Sequence, residues 1–166
     1  MPAVREASSG DLDRIAEIYN YYIRNSCATF REKELTREEM RTIYEPSAKE
    51  YVFLVAEDGA DGIVGFAYSS PFRTASAYRL AETTIYLAPE CLHRGFGKEL
   101  YTELILRTAR KRPELTGLVA VITGTNGASI RFHEKMNYHP AGRIGNAGCK
   151  FDTLLDITFW HCTLKP

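Results

Sequence analysis

The sequence predicts an α/β fold with a mixed, mostly antiparallel sheet flanked by helices, and three features of the pattern predict it. Two runs rich in aromatic and β-branched residues flank the turn-forming cluster 58–62, which is typical of an antiparallel hairpin. Further along, a strand, a glycine-containing loop and an amphipathic helix lead into an almost wholly apolar strand, which is typical of a βαβ unit. Two alternating runs near the C-terminal end predict a further pair of strands.

Two helices are predicted before the first hairpin. Ser8 offers a hydroxyl cap with the acid Asp11 three residues on, and an apolar stripe at helical spacing follows. Thr36 and Glu39 form a second capping box, and we expect the short helix that they start to finish before Pro46. Residues 26–35 connect the two helices.

The later elements follow from the same periodicities. Strands are predicted at 51–57, 63–68, 81–87, 118–123, 138–144 and 155–164, and helices at 96–110 and 126–136. The glycine-containing region 145–151 is expected to join the last two strands. The predicted order of elements is β-α-α-β-β-β-α-β-α-β-β.

Composition limits the possible partners. The chain has 166 residues, 45% apolar and 25% charged, which suits one compact domain over residues 1–166. A formal net charge of zero argues against nucleic acid or an anionic membrane as the main partner. No window approaches the roughly 18 apolar residues that cross a bilayer, and the start lacks a signal-peptide core, so we expect a cytoplasmic protein. The scattered cysteines predict free thiols and no metal site.

The glycine loop is the most informative segment. Gly95 and Gly97 allow tight turning where a helix begins, so successive backbone N–H groups can point at a phosphate; a plain strand-to-helix turn has the same pattern. A dinucleotide-binding loop would need glycine where Leu100 stands, and a Walker loop would need Ser or Thr where Glu99 stands. Both of these nucleotide motifs are therefore excluded.

Three polar residues are candidates for chemistry or binding. Glu82 lies inside a predicted strand, where alternation also permits a solvated outward-facing carboxylate. His133 follows Asn126 by seven residues on one predicted helix, so the two project from one face about two turns apart. An ordinary surface or core histidine, and a helix N-cap at Asn126, are the structural alternatives.

Five separated motifs together resemble the GNAT superfamily of N-acetyltransferases, and most closely its phosphinothricin N-acetyltransferase type. The resemblance extends over nearly the whole chain. The motifs are Pro71-Phe72-Arg73 with Ala77-Tyr78, Glu82-Thr83-Thr84-Ile85-Tyr86, the loop from Leu92 to Gly97, Asn126 and Ser129 with His133-Glu134, and Phe159-Trp160.

The resemblance implies a GNAT fold in which a splayed strand pair holds acetyl-CoA. It implies an acyltransferase without a metal, in which the amine of a small amino-acid-like acceptor attacks the thioester directly within a ternary complex. It also implies a homodimer with the C-terminal strands near the interface.

The resemblance further implies roles for individual residues. Glu82 acts as general base, and His133 protonates the leaving thiolate or assists deprotonation. The cofactor-binding set comprises the backbone of Ile85 and Leu87, the loop residues Leu92, His93, Arg94, Gly95, Phe96, Gly97 and Lys98, and the side chains of Asn126 and Ser129. Arg73 grips a substrate carboxylate, and the pocket walls are Phe30, Tyr78, Val121 and Ile157.

Two positions depart from the family pattern. Leu92 stands where the family has Arg or Gln, although Arg94 and Lys98 offer charge nearby. Ala75 stands where many relatives have a second arginine, which favours a less charged acceptor, such as methionine sulfoximine, methionine sulfone or another small amine, over the doubly anionic phosphinothricin.

Two other functions stay open. One is acetylation of protein or peptide N-termini, and the other is a non-catalytic acetyl-CoA sensor. Retention of both Glu82 and His133 favours an enzyme.

Overall fold

A computed structural model of the chain describes residues 3–75 and 77–164. Its helices and strands follow the predicted order, which is thereby confirmed. They are β1 (Ala3–Glu6), α1 (Leu12–Asn25), α2 (Arg37–Glu50), β2 (Phe53–Asp58), β3 (Gly62–Pro71), β4 (Leu80–Leu87), α3 (Phe96–Lys111), β5 (Gly117–Thr123), α4 (Gly127–Lys135), β6 (His139–Lys150) and β7 (Thr153–Thr163).

The seven strands have the order β1-β2-β3-β4-β5-β7-β6. β4 pairs in parallel with β5 across the α3 crossover, as the βαβ pattern predicts. β2 pairs antiparallel with both β1 and β3, and β7 pairs antiparallel with both β5 and β6. The predicted α/β class with a mixed, mostly antiparallel sheet is therefore confirmed.

The chain forms two compact units, and each is discontinuous in sequence. Unit 1 comprises residues 1–20, 35–70 and 83–114, and unit 2 comprises 21–34, 71–82 and 115–166. β4 belongs to both, because its first three residues lie in unit 2 and the remainder lies in unit 1. That the chain is one domain stays a prediction.

Unit 1 has an apolar core with a small number of paired polar groups. Stacked rings of Phe53, Phe66 and Tyr68 line its strands. The buried hydroxyls of Thr83 and Tyr101 are 2.7 Å apart, so α3 is hydrogen-bonded to β4. These contacts fix the strand that precedes the glycine loop and the helix that follows it.

Unit 2 is dominated by β5, β7 and β6. β5 pairs with β7 from Gly117–Thr163 to Thr123–Ile157, so seven consecutive residues of β5 are matched. Leu118, Ala120 and Ile122 face the core, while Val121 on the opposite face is exposed. Val119 and Thr123, which project to the same face as Val121, are buried, so Val121 is the exposed residue of that face in β5.

The prediction that the second helix ends before Pro46 is wrong. α2 continues to Glu50, and the N–H of Tyr51 closes it on the carbonyl of Ser47. Proline has a φ close to the helical value, and its missing N–H removes only one intrahelical hydrogen bond. Burial of Ser47 and Tyr51 anchors the last turn and offsets that loss.

The prediction that 145–151 is a connecting region is also wrong. β6 extends to Lys150, and the turn consists of Phe151 and Asp152, whose φ values are 51° and 56°. Register shifts between Ile144 and Gly148 show that the strand accommodates the glycines as an irregularity instead of ending there.

Candidate active site

The glycine loop lies in unit 1 between β4 and α3. Gly95 is the N-cap of α3 with φ of 88°, a left-handed conformation that glycine adopts without strain. Gly97 is buried in the first turn, where the leading N–H groups of a helix lack intrahelical partners. The helix begins at Phe96 as predicted, and the Lys98 N–H donates to the Gly95 carbonyl at 3.1 Å. The N–H groups before Lys98 and the positive end of the helix dipole can therefore receive an anion.

Arg94 is already paired within unit 1. Its guanidinium donates to Asp58 at 2.8 Å and to Asp61 at 2.6 Å, and it lies 4.7 Å from the centre of the Phe96 ring. The arginine therefore anchors the loop to the β2–β3 turn. Asp58 and Asp61 were expected only as turn formers, because nothing in the sequence pairs them with a residue 33 or more positions away.

The remaining loop residues are open to solvent. Leu92 has an exposed side chain without a hydrogen-bond donor, and the side chains of His93 and Lys98 are also exposed. His93 has φ of 63°, so the loop has a second left-handed residue before Gly95. Lys98 is therefore the more available of the two cations near the helix start.

Close packing fixes the end of β4. A Cβ atom at Gly65 would lie 2.4 Å from Leu87 Cδ2 and 2.9 Å from the carbonyl oxygen of Tyr86. The N–H of Ala88 donates to Val64 at 2.8 Å. These contacts set the backbone path through Ile85 and Leu87, for which we expect a cofactor role.

Glu82 lies in the part of β4 that belongs to unit 2. It pairs with Val119 of β5 and its side chain is half-buried. Burial raises the pKa of the Glu82 carboxyl, and the charge of Arg73 partly opposes that rise. A carboxyl with a raised pKa is better matched to accepting a proton near neutral pH.

Arg73 lies in the loop that precedes β4. Its guanidinium is 5.2 Å from the centre of the Phe72 ring and its side chain is exposed. The N–H of Phe72 donates to the carbonyl of Leu80 at 3.4 Å, so the loop returns beside the strand that bears Glu82. Tyr78, in the same loop, is 50% exposed. The structure thus brings Arg73 and Glu82 together.

The predicted pocket walls follow one strand face of unit 2. Val121 is two residues beyond Val119, the partner of Glu82, and so projects from the same face. Ile157 pairs with Thr123, the next residue of that face.

Phe30 lies on the same face of the unit 2 strands, at the end away from Glu82. A Cβ atom at Gly148 would lie 2.6 Å from Phe30 Cε2, and Gly148 pairs with Leu155. Leu155 precedes His161, the partner of Val119, by six residues of β7, which is about 20 Å of extended strand. Phe30 and Glu82 are therefore at opposite ends of the face, with Val121 and Ile157 between them.

His133 is 3% exposed in α4. Its Nδ1 is 2.8 Å from the carbonyl oxygen of Ser129, and its ring lies edge-on to Tyr138 at 5.2 Å. Burial lowers the pKa of the imidazole, and the Ser129 carbonyl partly opposes this. Because a carbonyl only accepts, Nδ1 carries the proton in this bond and Nε2 of the neutral ring is an acceptor. A neutral ring with its proton on Nδ1 can accept a proton at Nε2 and has none there to give to a thiolate.

Asn126 is the N-cap of α4, as its structural alternative predicts. Its Oδ1 accepts from the Ser129 N–H at 3.1 Å. The amide NH₂ is then the part of the side chain that can donate to a ligand, so capping and ligand binding are compatible.

The cysteines Cys27, Cys91, Cys149 and Cys162 are free. Across 3–75 and 77–164, no group of three His, Cys, Asp or Glu side chains could hold a metal ion. No helix within those ranges is long and apolar enough to cross a membrane.

The amino-acid sequence is similar to known acetyltransferases over nearly the whole chain. The family model described as acetyltransferase (GNAT) domain matches residues 4–159. A phosphinothricin N-acetyltransferase of Streptomyces viridochromogenes is 33% identical over 160 residues, covering 95% of this chain and 85% of that protein. An L-methionine sulfoximine/L-methionine sulfone acetyltransferase of Pseudomonas aeruginosa is 30% identical over 166 residues, covering 99% of this chain and 95% of the relative.

A solved structure has the same fold. The phosphinothricin acetyltransferase of Sinorhizobium meliloti, in complex with acetyl-CoA, superposes with a TM-score of 0.91 at 34% identity. The match covers 98% of this chain and 88% of that one.

Proposed function

This chain belongs to the GNAT family of acetyltransferases, and we propose that it transfers the acetyl group of acetyl-CoA to the amine of a small amino-acid-like acceptor. The acceptors proposed are of the methionine sulfoximine, methionine sulfone or phosphinothricin type. The observation that carries the proposal is the half-buried Glu82, with a raised pKa, on a strand face that Arg73 adjoins.

Glu82 is proposed as the general base. An alkylammonium with a pKa of about 10 is mostly protonated at neutral pH, so its nitrogen has no lone pair for attack. Glu82 takes one proton, the nitrogen forms a bond to the thioester carbon, and the carbon–sulfur bond breaks. The second proton that nitrogen loses passes to the leaving thiolate, so the products are the amide and the free thiol. The neutral His133, with Nε2 as an acceptor, assists deprotonation.

Acetyl-CoA supplies the acetyl group as a reactive thioester. In unit 1, the N–H groups at the start of α3 are proposed to hold its pyrophosphate, with Lys98 adding charge. The backbone of Ile85 and Leu87 is proposed to bond the pantetheine amides, with β4 splayed there from its neighbour. The proposed cofactor-binding groups of unit 2 are the Asn126 amide and the Ser129 hydroxyl.

Thioester cleavage across a panel of amines tests this function. The panel is methionine sulfoximine, methionine sulfone, phosphinothricin, a carboxylate-free amine and a short peptide. We expect thiol release with the amino-acid analogues. Turnover with the peptide alone would identify an N-terminal acetyltransferase. Binding of acetyl-CoA without turnover of any amine would identify a sensor.

Specificity is proposed to depend on one cation. Arg73→Ala is expected to raise KM for amino-acid acceptors by the loss of a charge-assisted hydrogen bond, on the order of 1.5–3 kcal/mol. The carboxylate-free amine should be little affected, because it has no group for Arg73 to bind. Steady-state kinetics with each acceptor measure the difference, and equal losses across all acceptors would show that Arg73 is structural.

A second cation is expected to change the preferred acceptor. Ala75 is exposed in the same loop, so Ala75→Arg can place a guanidinium there without displacing core side chains. We expect kcat/KM for phosphinothricin to rise relative to methionine sulfoximine, because only the former has a second anionic group. An unchanged ratio would contradict an anion-binding role for this position.

We further propose a homodimer formed by the C-terminal strands. β6 is exposed along nearly its whole length, and Ile144, Phe151 and Leu154 are 52%, 57% and 63% exposed. An exposed strand with large apolar side chains is an interaction surface or an aggregation hazard.

We also place the protein in the cytoplasm, where its four free thiols would stay reduced.

The double variant Phe151→Ser/Leu154→Ser is expected to shift the protein toward the monomer, because it removes the most exposed apolar side chains of the hairpin. Light scattering after gel filtration measures the mass. The matched control is Leu106→Ser, whose side chain on α3 is 45% exposed. A wild-type monomer, or a shift caused equally by the control, would refute this interface.

A further inference from the structure

Lys150, at the end of β6, has the most unusual placement of any charged residue in the described part of the chain. It is 2% exposed, although lysine is almost never fully buried unless it is paired. Its Nζ donates to the carbonyl oxygen of Thr29 at 2.8 Å and lies 5.1 Å from the centre of the Phe151 ring. The roles proposed above leave this buried ammonium without a function.

The carbonyl that Lys150 binds belongs to a segment that connects helix α1 to the rest of the chain. Thr29 lies in residues 26–34 of unit 2, which follow α1. The same segment is held by Thr123, whose Oγ1 donates to the Cys27 carbonyl at 2.5 Å. Two side chains from different strands thus hold the backbone at positions 27 and 29. A connecting segment held only at its ends would be free to move over the strand face.

Phe30 is the residue that follows the Lys150-bonded carbonyl. Its ring lies against the backbone at Gly148, where a Cβ atom would be 2.6 Å from Cε2 and 2.7 Å from Cδ2. Gly148 and Lys150 are two residues apart on one strand and project to the same side. Lys150 and Gly148 therefore both act on residues 29–30. Lys150 holds the backbone carbonyl of Thr29, and Gly148 leaves room for the Phe30 ring.

The choice of lysine has a physical reason. Its four-carbon stem spans the apolar interior, and an ammonium gives a stronger hydrogen bond to a carbonyl than a neutral donor does. Burial lowers the pKa of Lys150, while the nearby Cys27 and Glu32 favour the charged form.

We propose that Lys150 is a positioning residue for the acceptor pocket: by holding the Thr29 carbonyl it sets the place of Phe30, and through Phe30 the affinity for the acceptor. This inference rests on the proposed function, because it requires Phe30 to be a wall of that pocket. It assigns to Lys150 an effect on the acceptor alone and none on acetyl-CoA.

Lys150→Met is the principal test, because methionine retains the length and apolar character of the stem and removes the donor. The Thr29 carbonyl then loses this hydrogen bond, which costs some stability. We expect KM for methionine sulfoximine to rise about tenfold, which corresponds to about 1.4 kcal/mol. We expect kcat and KM for acetyl-CoA to stay near wild type.

The matched control is Lys111→Met. Lys111 also donates to a backbone carbonyl, that of Ala48, at the same 2.8 Å, but it is exposed and lies in unit 1. Its substitution should leave the KM for the acceptor unchanged. An equal rise in both variants would overturn the proposal, because it would show a general effect of removing lysine tethers.

A double-mutant cycle with Phe30→Ala separates positioning from stability. If Lys150 acts through Phe30, then Lys150→Met should add little to the acceptor KM of the Phe30→Ala protein. Independent, additive effects would overturn the proposal. Gly148→Ala is a second variant that displaces the same ring while keeping the lysine, and it should raise the acceptor KM even if Lys150→Met does not fold. An unchanged KM in Gly148→Ala would also overturn it.

Hydrogen exchange distinguishes failure of this inference from failure of the proposed function. Amides of residues 26–34 should exchange faster in Lys150→Met than in wild type, with no acceptor present. Unchanged exchange would refute the tether, whatever the activity. Faster exchange in a protein that acetylates none of the amines would establish the tether but refute both the proposed function and the role of Lys150 in acceptor binding.

Discussion

Glu82→Gln is expected to lower kcat by roughly 10²–10⁴-fold, the usual contribution of a positioned general base. Glutamine has the shape of glutamate but cannot accept a proton, so the acceptor ammonium would have to lose its proton to water. The affinity for acetyl-CoA should be nearly unchanged, because Glu82 is not among the groups proposed to bind acetyl-CoA. Steady-state kinetics, together with titration calorimetry of acetyl-CoA, measure the two effects separately.

Glu134→Gln is the matched control. It makes the same chemical change in unit 2 at an exposed residue of α4. Its kcat should stay near wild type. If Glu82→Gln also retained wild-type kcat with a good acceptor at neutral pH, the assignment of Glu82 as the base would be wrong.

The raised pKa of Glu82 also predicts the pH dependence of both rate and stability. The rate should rise as pH increases through the pKa of the folded protein, because only the carboxylate accepts a proton. In Arg73→Ala this rise should move to higher pH, since the arginine charge lowers the pKa of Glu82.

A group whose pKa is raised by folding contributes stability at low pH that is lost as pH rises through the folded pKa. Glu82→Gln should therefore preserve or increase the melting temperature at pH 7, and this gain should fade toward pH 4.

The order of elements could be predicted because it depends on local patterns. The capping box at Thr36 forms, and at Ser8 the Asp11 carboxylate accepts from the Ser8 N–H, although the Ser8 hydroxyl caps no helix N–H. The hairpin follows the Asp and Gly cluster. The errors arose where tertiary packing outweighs a local signal. Pro46 did not end α2 because the following turn is buried, and the glycines of β6 did not end the strand because β7 pairs beyond them.

The site could be predicted only as far as resemblance and spacing reach. A polar residue inside a strand made Glu82 noticeable, and helical spacing placed Asn126 at a cap. The ion pairs of Arg94 and the tether of Lys150 join residues up to 121 positions apart. Such pairs depend on which segments the fold brings together, so no local pattern could indicate them.

Gly97→Asp is expected to weaken acetyl-CoA binding by on the order of 10²-fold or more, which corresponds to the loss of one or two charge-assisted hydrogen bonds. Gly97 lies in the first turn of α3, beside the left-handed N-cap Gly95. An aspartate there would place a carboxylate where the phosphates are proposed to bind. The helix dipole favours an acidic side chain in the first turn, whereas burial of Gly97 opposes it, so the folding of the variant is checked before its affinity is compared.

The matched control for this variant is Gly59→Asp, which makes the same change of charge in the β2–β3 turn. A Cβ atom at Gly59 would meet nothing within 4 Å, so the control tests the charge without a packing change. Circular dichroism checks folding, and titration calorimetry measures the affinity. Leu92→Arg should act in the opposite direction, because it adds a donor at an exposed position of the same loop. Unchanged affinity in a folded Gly97→Asp protein would refute the phosphate-binding loop, since a new negative charge among those N–H groups must repel a bound pyrophosphate.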